Sequence, residues 1–197
     1  MRRLGHEAYS CDLQECSGGH PEWHIRDDAL KTIRGGYWDI IIAHPPCTYL
    51  SNLGNTHLYC GTERVTRQKD VFRLMNEDRI RRGINARDFF FTMYNAPCQR
   101  VAVENPVPSP LWQLPEPSQM IEPWMFGDPY KKKTYLWLHG LPPLMATNIV
   151  EPTMLWVDGG HSTRTKMQTF GFRDSKKRSK TFPGIAKAMA EQWAGSC

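Results

Sequence analysis

Short, continuously apolar runs constrain the fold of this chain more than any other feature of its sequence. The runs are "WDIIIAH" (Trp38–His44), "RVAVENP" (Arg100–Pro106) and "KKTYLWLHGLPPL" (Lys132–Leu144). Each contains a strand-length stretch without the alternation of apolar and polar residues that a half-exposed strand shows, so each is predicted to be buried on both faces of a sheet. A further short strand is predicted at "EAYSCDL" (Glu7–Leu13).

Helical patterns lie between these strands and after the last of them. Arg73–Ala96 places apolar side chains at spacings of three and four residues, which predicts one long amphipathic helix, either continuous or interrupted near Gly83. Thr181–Trp193 is predicted as a closing helix, with Pro183 in the first turn, where a missing N–H costs no hydrogen bond. Buried strands that alternate with helices predict an α/β fold with a largely parallel sheet.

Chemically useful side chains follow three of the predicted strands. Asp12, Cys47 and Glu104 lie at or just past the strand ends. In open α/β sheets, ligand binding concentrates at the carboxyl ends of the strands. We therefore expect the functional residues of this chain to gather at that edge of the sheet.

The composition favours one packed domain without a membrane partner. The chain has 197 residues, 40% of them hydrophobic, with seven Trp and eight Phe, which is enough to bury a continuous core. It contains no apolar run long enough to span a bilayer and no signal peptide. Six Cys without a secretory context are expected to be thiols in a reducing cytoplasm.

The charge balance permits a polyanionic partner without requiring one. The net charge is +5, and much of the positive charge lies in residues 67–87 and 164–180. Basic stretches are common on solvated surfaces, so charge alone does not identify nucleic acid as the partner.

Cys47 follows a buried strand and two prolines, "AHPPC". Pro45 and Pro46 fix two φ angles and remove two N–H donors, so Cys47 is expected to be held rigidly above the sheet edge. A thiolate there, beside a carboxyl group from a neighbouring strand, suits attack on a ring carbon while the carboxyl group protonates a ring nitrogen. Acyl transfer with His44 stays an alternative, although no oxyanion-hole signature is evident. His44 itself is interpreted as a packing or hydrogen-bonding residue rather than as a general base.

Four sequence blocks, in their order and spacing, resemble the cytosine-C5 DNA methyltransferases, and more closely the small phage-type and prophage-type proteins of that superfamily. The blocks are "AHPPCTYLSN", "VAVENPVPS", "PWMFGDPYKKKTYLWLHGLPPL" and "RSKTFPGIAKAMAEQW". The resemblance runs from Gly5 onward. It implies a doubly wound, mostly parallel sheet of the S-adenosylmethionine-dependent methyltransferase type. It further implies one catalytic domain over residues 1–197, working in the cytoplasm of a bacterium or of a phage-infected host cell.

The resemblance also implies the reaction, methylation of cytosine C5 in DNA. Cys47 matches the nucleophile that adds to C6 of the ring. Glu104 matches the carboxyl group that binds the base edge and protonates N3, and Asn105 matches the residue that braces the loop. Pro46 is assigned to the substrate side of the same loop.

S-adenosylmethionine is the cofactor that the resemblance implies. Asp12 matches the acid that takes the ribose hydroxyls, and Asp28 matches the acid that contacts the adenine amino group. Pro45 is assigned to the cofactor side of the Pro-Pro-Cys loop. Lys131 and Lys133 fall where the family places basic or polar groups near the target base and its backbone, a looser match.

The chain departs from the family pattern at its start, because "MRRLGHEAYSCD" is interpreted as the end of the family's first helix leading into its second strand. The first strand of the family and its glycine-rich cofactor turn are absent from the sequence. Because that strand is central in a doubly wound sheet, its neighbours are expected to be exposed without it. Three explanations stay open: a product that starts upstream, another strand that fills the gap, or weakened cofactor binding.

Residues 145–180 are predicted to be loop-like and stand where the full-size enzymes carry a large target-recognition region. Recognition of a specific DNA sequence requires several side chains that reach the edges of the bases. We therefore expect short specificity, a separate recognition partner, or a small substrate such as a free cytosine nucleotide. In duplex DNA, the target base must leave the stack to reach Cys47.

Two alternatives stand beside the methyltransferase interpretation. The spacing of Cys11, Cys16, His20 and His24 is compatible with zinc, but Cys11 is predicted to lie within a strand, so no metal site is assigned. The second alternative is a cofactor-defective relative that binds nucleic acid without turnover.

Overall fold

Short strands and four α-helices form the regular structure of the described residues. The computed structural model describes residues 1–52, 54, 58, 76–155, 168–169 and 180–195. The strands are β1 (Ser10–Cys11), β2 (His24–Ile25), β3 (Ile41–Ala43), β4 (Val101–Pro106), β5 (Gln119–Ile121), β6 (Tyr130–Lys131), β7 (Thr134–His139), β8 (Met154–Leu155) and β9 (Gln168–Thr169). The helices are α1 (Ala29–Gly35), α2 (Cys47–Leu50), α3 (Glu77–Tyr94) and α4 (Pro183–Met189), and α4 continues as a π-helical turn over Ala190–Ala194.

The largest sheet has the strand order β3-β4-β7-β5. β3 and β4 are parallel, whereas β7 runs antiparallel to both of its neighbours, β4 and β5. The smaller sheets, β1-β2 and β6-β8-β9, are parallel. The α/β class is therefore confirmed, and the largest sheet is mixed. A continuous apolar run indicates burial on both faces but does not encode strand direction, which is why the direction of β7 could not be predicted.

Both faces of the largest sheet are covered, as the apolar runs predict. Side chains alternate along β4, so Val101 and Val103 pack on one face and Ala102 on the other. The first face is covered by α3, through Phe90 and Met93 among others. The second face is covered by α4 and the turn after it, with Ile185, Ala188, Met189 and Trp193. The core thus has a helical layer on each side of the sheet.

The predicted long helix begins and ends for identifiable reasons. Its N-cap is Asn76, whose side chain accepts a hydrogen bond from the backbone N–H of Arg79 at 3.0 Å. The helix ends at Tyr94, three residues before Pro97, which cannot continue it. Of the predicted range Arg73–Ala96, residues 73–75 lie outside the described part of the chain.

The remaining predicted elements can be compared with the observed ones in turn. The strand predicted over Glu7–Leu13 is limited to β1, and the closing helix begins with Pro183 in its first position. In the predicted insert over residues 145–180, the structure describes two short strands, β8 and β9. Residues 156–167 and 170–179 of the insert lie outside the described residues. Within the described ranges, no helix combines the length and the apolar character that crossing a membrane requires.

We predict that α3 needs glycine at position 83, because a larger side chain would collide with a packed neighbour. A Cβ atom at this position would lie 1.9 Å from a ring carbon of Trp112, which is itself buried. Gly83→Ala should therefore destabilise the fold by about 1–3 kcal/mol, although Ala is the better helix former. The free energy of unfolding in urea measures this. Gly35→Ala, at the end of α1 with no atom near the added methyl, is the matched control and should change stability by no more than about 0.5 kcal/mol.

Candidate active site

His44, the first residue after β3, lies beside Glu104, which is the fourth of the six residues of β4 and not, as the sequence predicts, a residue at or past its end. In the parallel pairing of the two strands, Ala43 lies opposite Val103. His44, which follows Ala43, and Glu104, which follows Val103, are therefore neighbours. His44 Nδ1 lies 3.2 Å from Glu104 Oε2, within hydrogen-bonding distance. The contact shows that His44 makes a hydrogen bond at the end of β3, as expected, and leaves open whether it also takes part in proton transfer.

The Glu104 carboxyl group is sheltered but stabilised as an anion. Its side chain is only 18% exposed, and burial alone would raise its pKa. The hydrogen bond and the charge of His44, together with the charge of Lys132, outweigh burial and lower the pKa of Glu104 below its usual value. Glu104 is therefore a carboxylate at neutral pH and can only accept hydrogen bonds. Nδ1 of His44 must then be the donor in their contact.

Cys47 is presented by a short helix directly after the prolines. Pro45 is buried, whereas Pro46 is exposed and occupies the N-cap of α2. Cys47 is the first residue of that helix, and its thiol is exposed. The expectation of a thiol held at the sheet edge by Pro-Pro agrees with this arrangement.

Backbone hydrogen bonds tie the Cys47 loop to the segment that follows β4. The N–H of Ser109 donates to the carbonyl oxygen of Leu50 at 2.8 Å, and the N–H of Asn52 donates to that of Val107 at 3.0 Å. Ser51 and Pro108 form an isolated antiparallel bridge between the same segments. The loop that carries Cys47 and the strand that carries Glu104 thus share one backbone frame.

Arg79 of α3 holds the loop from the other side. Its guanidinium group donates to the carbonyl oxygens of Thr48, at 2.5 Å, and Gly54, at 3.2 Å. The same group lies 4.3 Å from the centre of the Tyr49 ring. Gly54 is needed for this closure, because a Cβ atom there would lie 2.4 Å from the Thr48 carbonyl oxygen. Sequence reasoning missed Arg79, since only the fold brings it to the loop.

A small cleft opens beside Glu104, between the end of β4 and the start of α4. We call it the Glu104 cleft. Its lining consists of Glu104, Lys132, Thr134, Lys180, Thr181, Phe182, Ile185 and Met189. The Lys132 ammonium group lies 5.9 Å from the centre of the Phe182 ring. A carboxylate, two ammonium groups, two hydroxyl groups and an apolar wall therefore surround the same space.

The predicted substrate residues Lys131 and Lys133 flank a lysine that lines the Glu104 cleft, and their own roles stay predictions. Lys131 and Lys133 are exposed and do not line the Glu104 cleft, whereas Lys132 between them does. The run of three lysines carries no sequence signal that singles out its middle member. Only the path of the chain from β6 into β7 selects it.

Asn105 lies on the face of β4 opposite Glu104, because side chains alternate along a strand. It is fully buried, and neither its side-chain oxygen nor its side-chain nitrogen has a hydrogen-bond partner in the described structure. The backbone contacts of Leu50 and Asn52 join the loop to the segment after β4, and the bracing role of Asn105 stays a prediction.

The two predicted cofactor acids lie at the carboxyl ends of the β1-β2 sheet. Asp12 follows β1, is exposed, and accepts a hydrogen bond from the Gln14 N–H at 2.9 Å. Asp28 is also exposed and caps α1, accepting from the Leu30 N–H at 2.7 Å. In the described residues, β1-β2 and the largest sheet are separate. The roles of Asp12, Asp28 and Pro45 toward S-adenosylmethionine stay predictions.

The segment considered as a zinc site, residues 11–24, makes contacts within the protein. Cys11 Sγ lies 3.3 Å from Thr32 Oγ1 and 3.4 Å from the Asp27 carbonyl oxygen, and the His20 ring stacks on Trp23. Among the residues that the structure describes, no three His, Cys, Asp or Glu side chains are grouped so that they could hold a metal ion.

No protein-family model matches the chain, and a search of curated proteins finds no match. The functional interpretation therefore depends on the residues and on their arrangement.

We expect Arg79→Ala to loosen the Cys47 loop without unfolding the chain. Hydrogen bonds from a charged donor contribute about 1.5–3 kcal/mol, so amide exchange at Ser51 and Asn52 should accelerate by about tenfold or more. Hydrogen–deuterium exchange measures this. Arg81→Ala is the matched control, because Arg81 lies on the same helix and pairs with Asp78 at the surface. Equal protection in both variants would contradict the role of Arg79.

Proposed function

We propose that the chain is an S-adenosylmethionine-dependent methyltransferase that acts on cytosine C5 in DNA through a covalent bond between Cys47 and C6. The observation that carries the proposal is the position of Glu104. This sheltered, ionised carboxylate lies in β4, the strand beside β3, and β3 leads into the exposed Cys47 thiol. A nucleophile and a carboxylate on one rigid frame suit attack on a heterocycle better than acyl transfer, which needs a third orienting group and an oxyanion hole.

The proposal includes a doubly wound sheet of the methyltransferase type. Three features support it: the parallel pairs β1-β2 and β3-β4, helical layers on both faces of the largest sheet, and antiparallel strands at one edge. Doubly wound folds commonly carry such edge strands. The described residues provide no strand beside the outer edge of β3, the side on which β1-β2 would join it.

In the proposed reaction, the Cys47 thiolate bonds to C6 of the ring. The electron pair of the C5=C6 bond moves into the ring, N3 is protonated, and C5 becomes nucleophilic. Glu104 accepts hydrogen bonds from the amino edge of the base and thereby orients the ring. After C5 has been methylated and has lost its proton, the sulfur leaves and the double bond forms again.

The residues present suit S-adenosylmethionine, which supplies the methyl group when bound. Asp12 and Asp28 are exposed carboxylates at the carboxyl ends of two parallel strands. Carboxylate oxygens accept hydrogen bonds from ribose hydroxyl groups and from an adenine amino group. These two residues would hold the adenosine portion.

A DNA duplex containing 5-fluorocytosine tests the mechanism, because fluorine at C5 cannot leave as a proton and the adduct accumulates. With S-adenosylmethionine present, the wild-type chain should form a covalent DNA adduct, and Cys47→Ser should form none. Cys16→Ser is the control and should react like the wild type. Denaturing electrophoresis detects the adduct. An adduct that persists in Cys47→Ser would mean that another thiol reacts.

Calorimetry with S-adenosylmethionine separates the enzyme from the alternative, a relative that binds nucleic acid without turnover. Saturable binding that Asp12→Asn weakens supports the enzyme. No binding by a folded chain that still binds DNA would favour the alternative. A matched titration with cytidine monophosphate distinguishes a nucleotide substrate from DNA.

A further inference from the structure

His44 is placed to connect Glu104 with solvent. Its side chain is 41% exposed, whereas that of Glu104 is 18% exposed, and their hydrogen-bonding atoms are 3.2 Å apart. The imidazole therefore has one side toward water and the other on a sheltered carboxylate. Histidine is the side chain whose proton exchanges most readily near neutral pH.

Glu104 needs such a partner if it is to protonate a ring. Burial acts to raise the pKa of the carboxyl group, but His44 and Lys132 bring it below its usual value, so Glu104 is ionised and has no proton of its own to give near pH 7. A carboxyl group that held a proton at rest would offer a poorer acceptor for the amino edge of the base. A proton that arrives only as the reaction proceeds satisfies both requirements.

We infer that His44 is a proton relay for Glu104: it stores the proton that N3 of the target ring accepts. The inference rests on the proposed function and assigns a role to a residue that the Cys47–Glu104 chemistry leaves unused. As the sulfur bonds to C6, the proton on His44 Nδ1 moves to Glu104 Oε2, and Glu104 passes a proton to N3. The imidazole is then neutral and Glu104 is again a carboxylate.

The return path restores the starting state. When the C5 proton has passed to solvent and the sulfur has left as thiolate, N3 returns its proton through Glu104 to His44. The charges balance over the cycle. N3 gains one proton when the thiolate adds to C6, and it gives one proton back after the thiolate has left. His44 is a positioning residue in this scheme, since it acts through Glu104.

The other charged groups that face Glu104 do not offer this route. Lys132, ahead of β7, and Lys180, ahead of α4, line the cleft as ammonium groups. The helix α4 contributes the apolar side chains Ile185 and Met189 to the same lining. His44, which lies outside this lining, donates a hydrogen bond to Glu104 through an imidazole, the type of side chain that exchanges protons most readily near neutral pH.

Two substitutions separate proton relay from simple orientation. His44→Gln keeps a neutral hydrogen-bond donor but has no titratable proton, whereas His44→Ala lacks both. We expect both variants to form the 5-fluorocytosine adduct at least about tenfold more slowly at pH 7, because a positioned acid typically contributes a hundredfold or more. In both variants the rate should follow ionisation of the Cys47 thiol alone, without the fall toward high pH that a required proton donor imposes on the wild type. His139→Gln is the control and should match the wild type, because His139 pairs with Val101 at the start of β4, away from Glu104.

An NMR titration, which needs no catalytic activity, tests the contact between His44 and Glu104 independently of the adduct rate. Carbon-13 NMR of the Glu104 carboxyl group, assigned with Glu104→Gln, should show a higher pKa in His44→Ala than in the wild type. A His44→Gln variant with the wild-type rate and pH profile would overturn the relay and leave the proposed function standing. A wild-type chain that forms no adduct would overturn both, and the NMR titration would then show whether the His44–Glu104 pair exists without that chemistry.

Discussion

The parallel pairing of β3 with β4 is the constraint on which the rest of the site depends. Its register sets Ala43 opposite Val103, so His44 and Glu104 lie beside each other. A slip of one residue would turn Glu104 toward the face where Val103 and Asn105 are buried and would place a carboxylate in an apolar core. The hydrophobic pattern of β4 therefore fixes the direction of its one acidic side chain.

The layers that stabilise the sheet also build the site. Helix α3 covers one face with Phe90 and Met93, and from its first turn Arg79 reaches the carbonyl groups of the Cys47 loop. Helix α4 covers the other face, and its side chains Ile185 and Met189 form the apolar wall of the Glu104 cleft. Packing and chemistry are therefore coupled, because a shift of either helix moves a part of the site.

The sequence predicts the parts of this arrangement that local patterns encode. Burial on both faces of β3, β4 and β7 follows from their apolar runs, and the position of Cys47 follows from the end of β3. The direction of β7, the reach of Arg79 and the choice of Lys132 over its neighbours depend on residues far apart in the chain. Periodicity and spacing carry no information about such contacts, because these depend on how the elements pack.

Glu104 shows how opposing electrostatic effects can prepare a site before a ligand arrives. Burial favours the neutral acid, whereas His44 and Lys132 favour the anion, and the combined effect of these two neighbours prevails. The carboxylate is consequently oriented by a fixed hydrogen bond and does not need to reorganise when a ring with an amino edge enters. Among the described residues that line the cleft, two lysines accompany this one carboxylate. Burial and the neighbouring polar groups thus oppose each other at Glu104, and their balance fixes both its charge and its orientation.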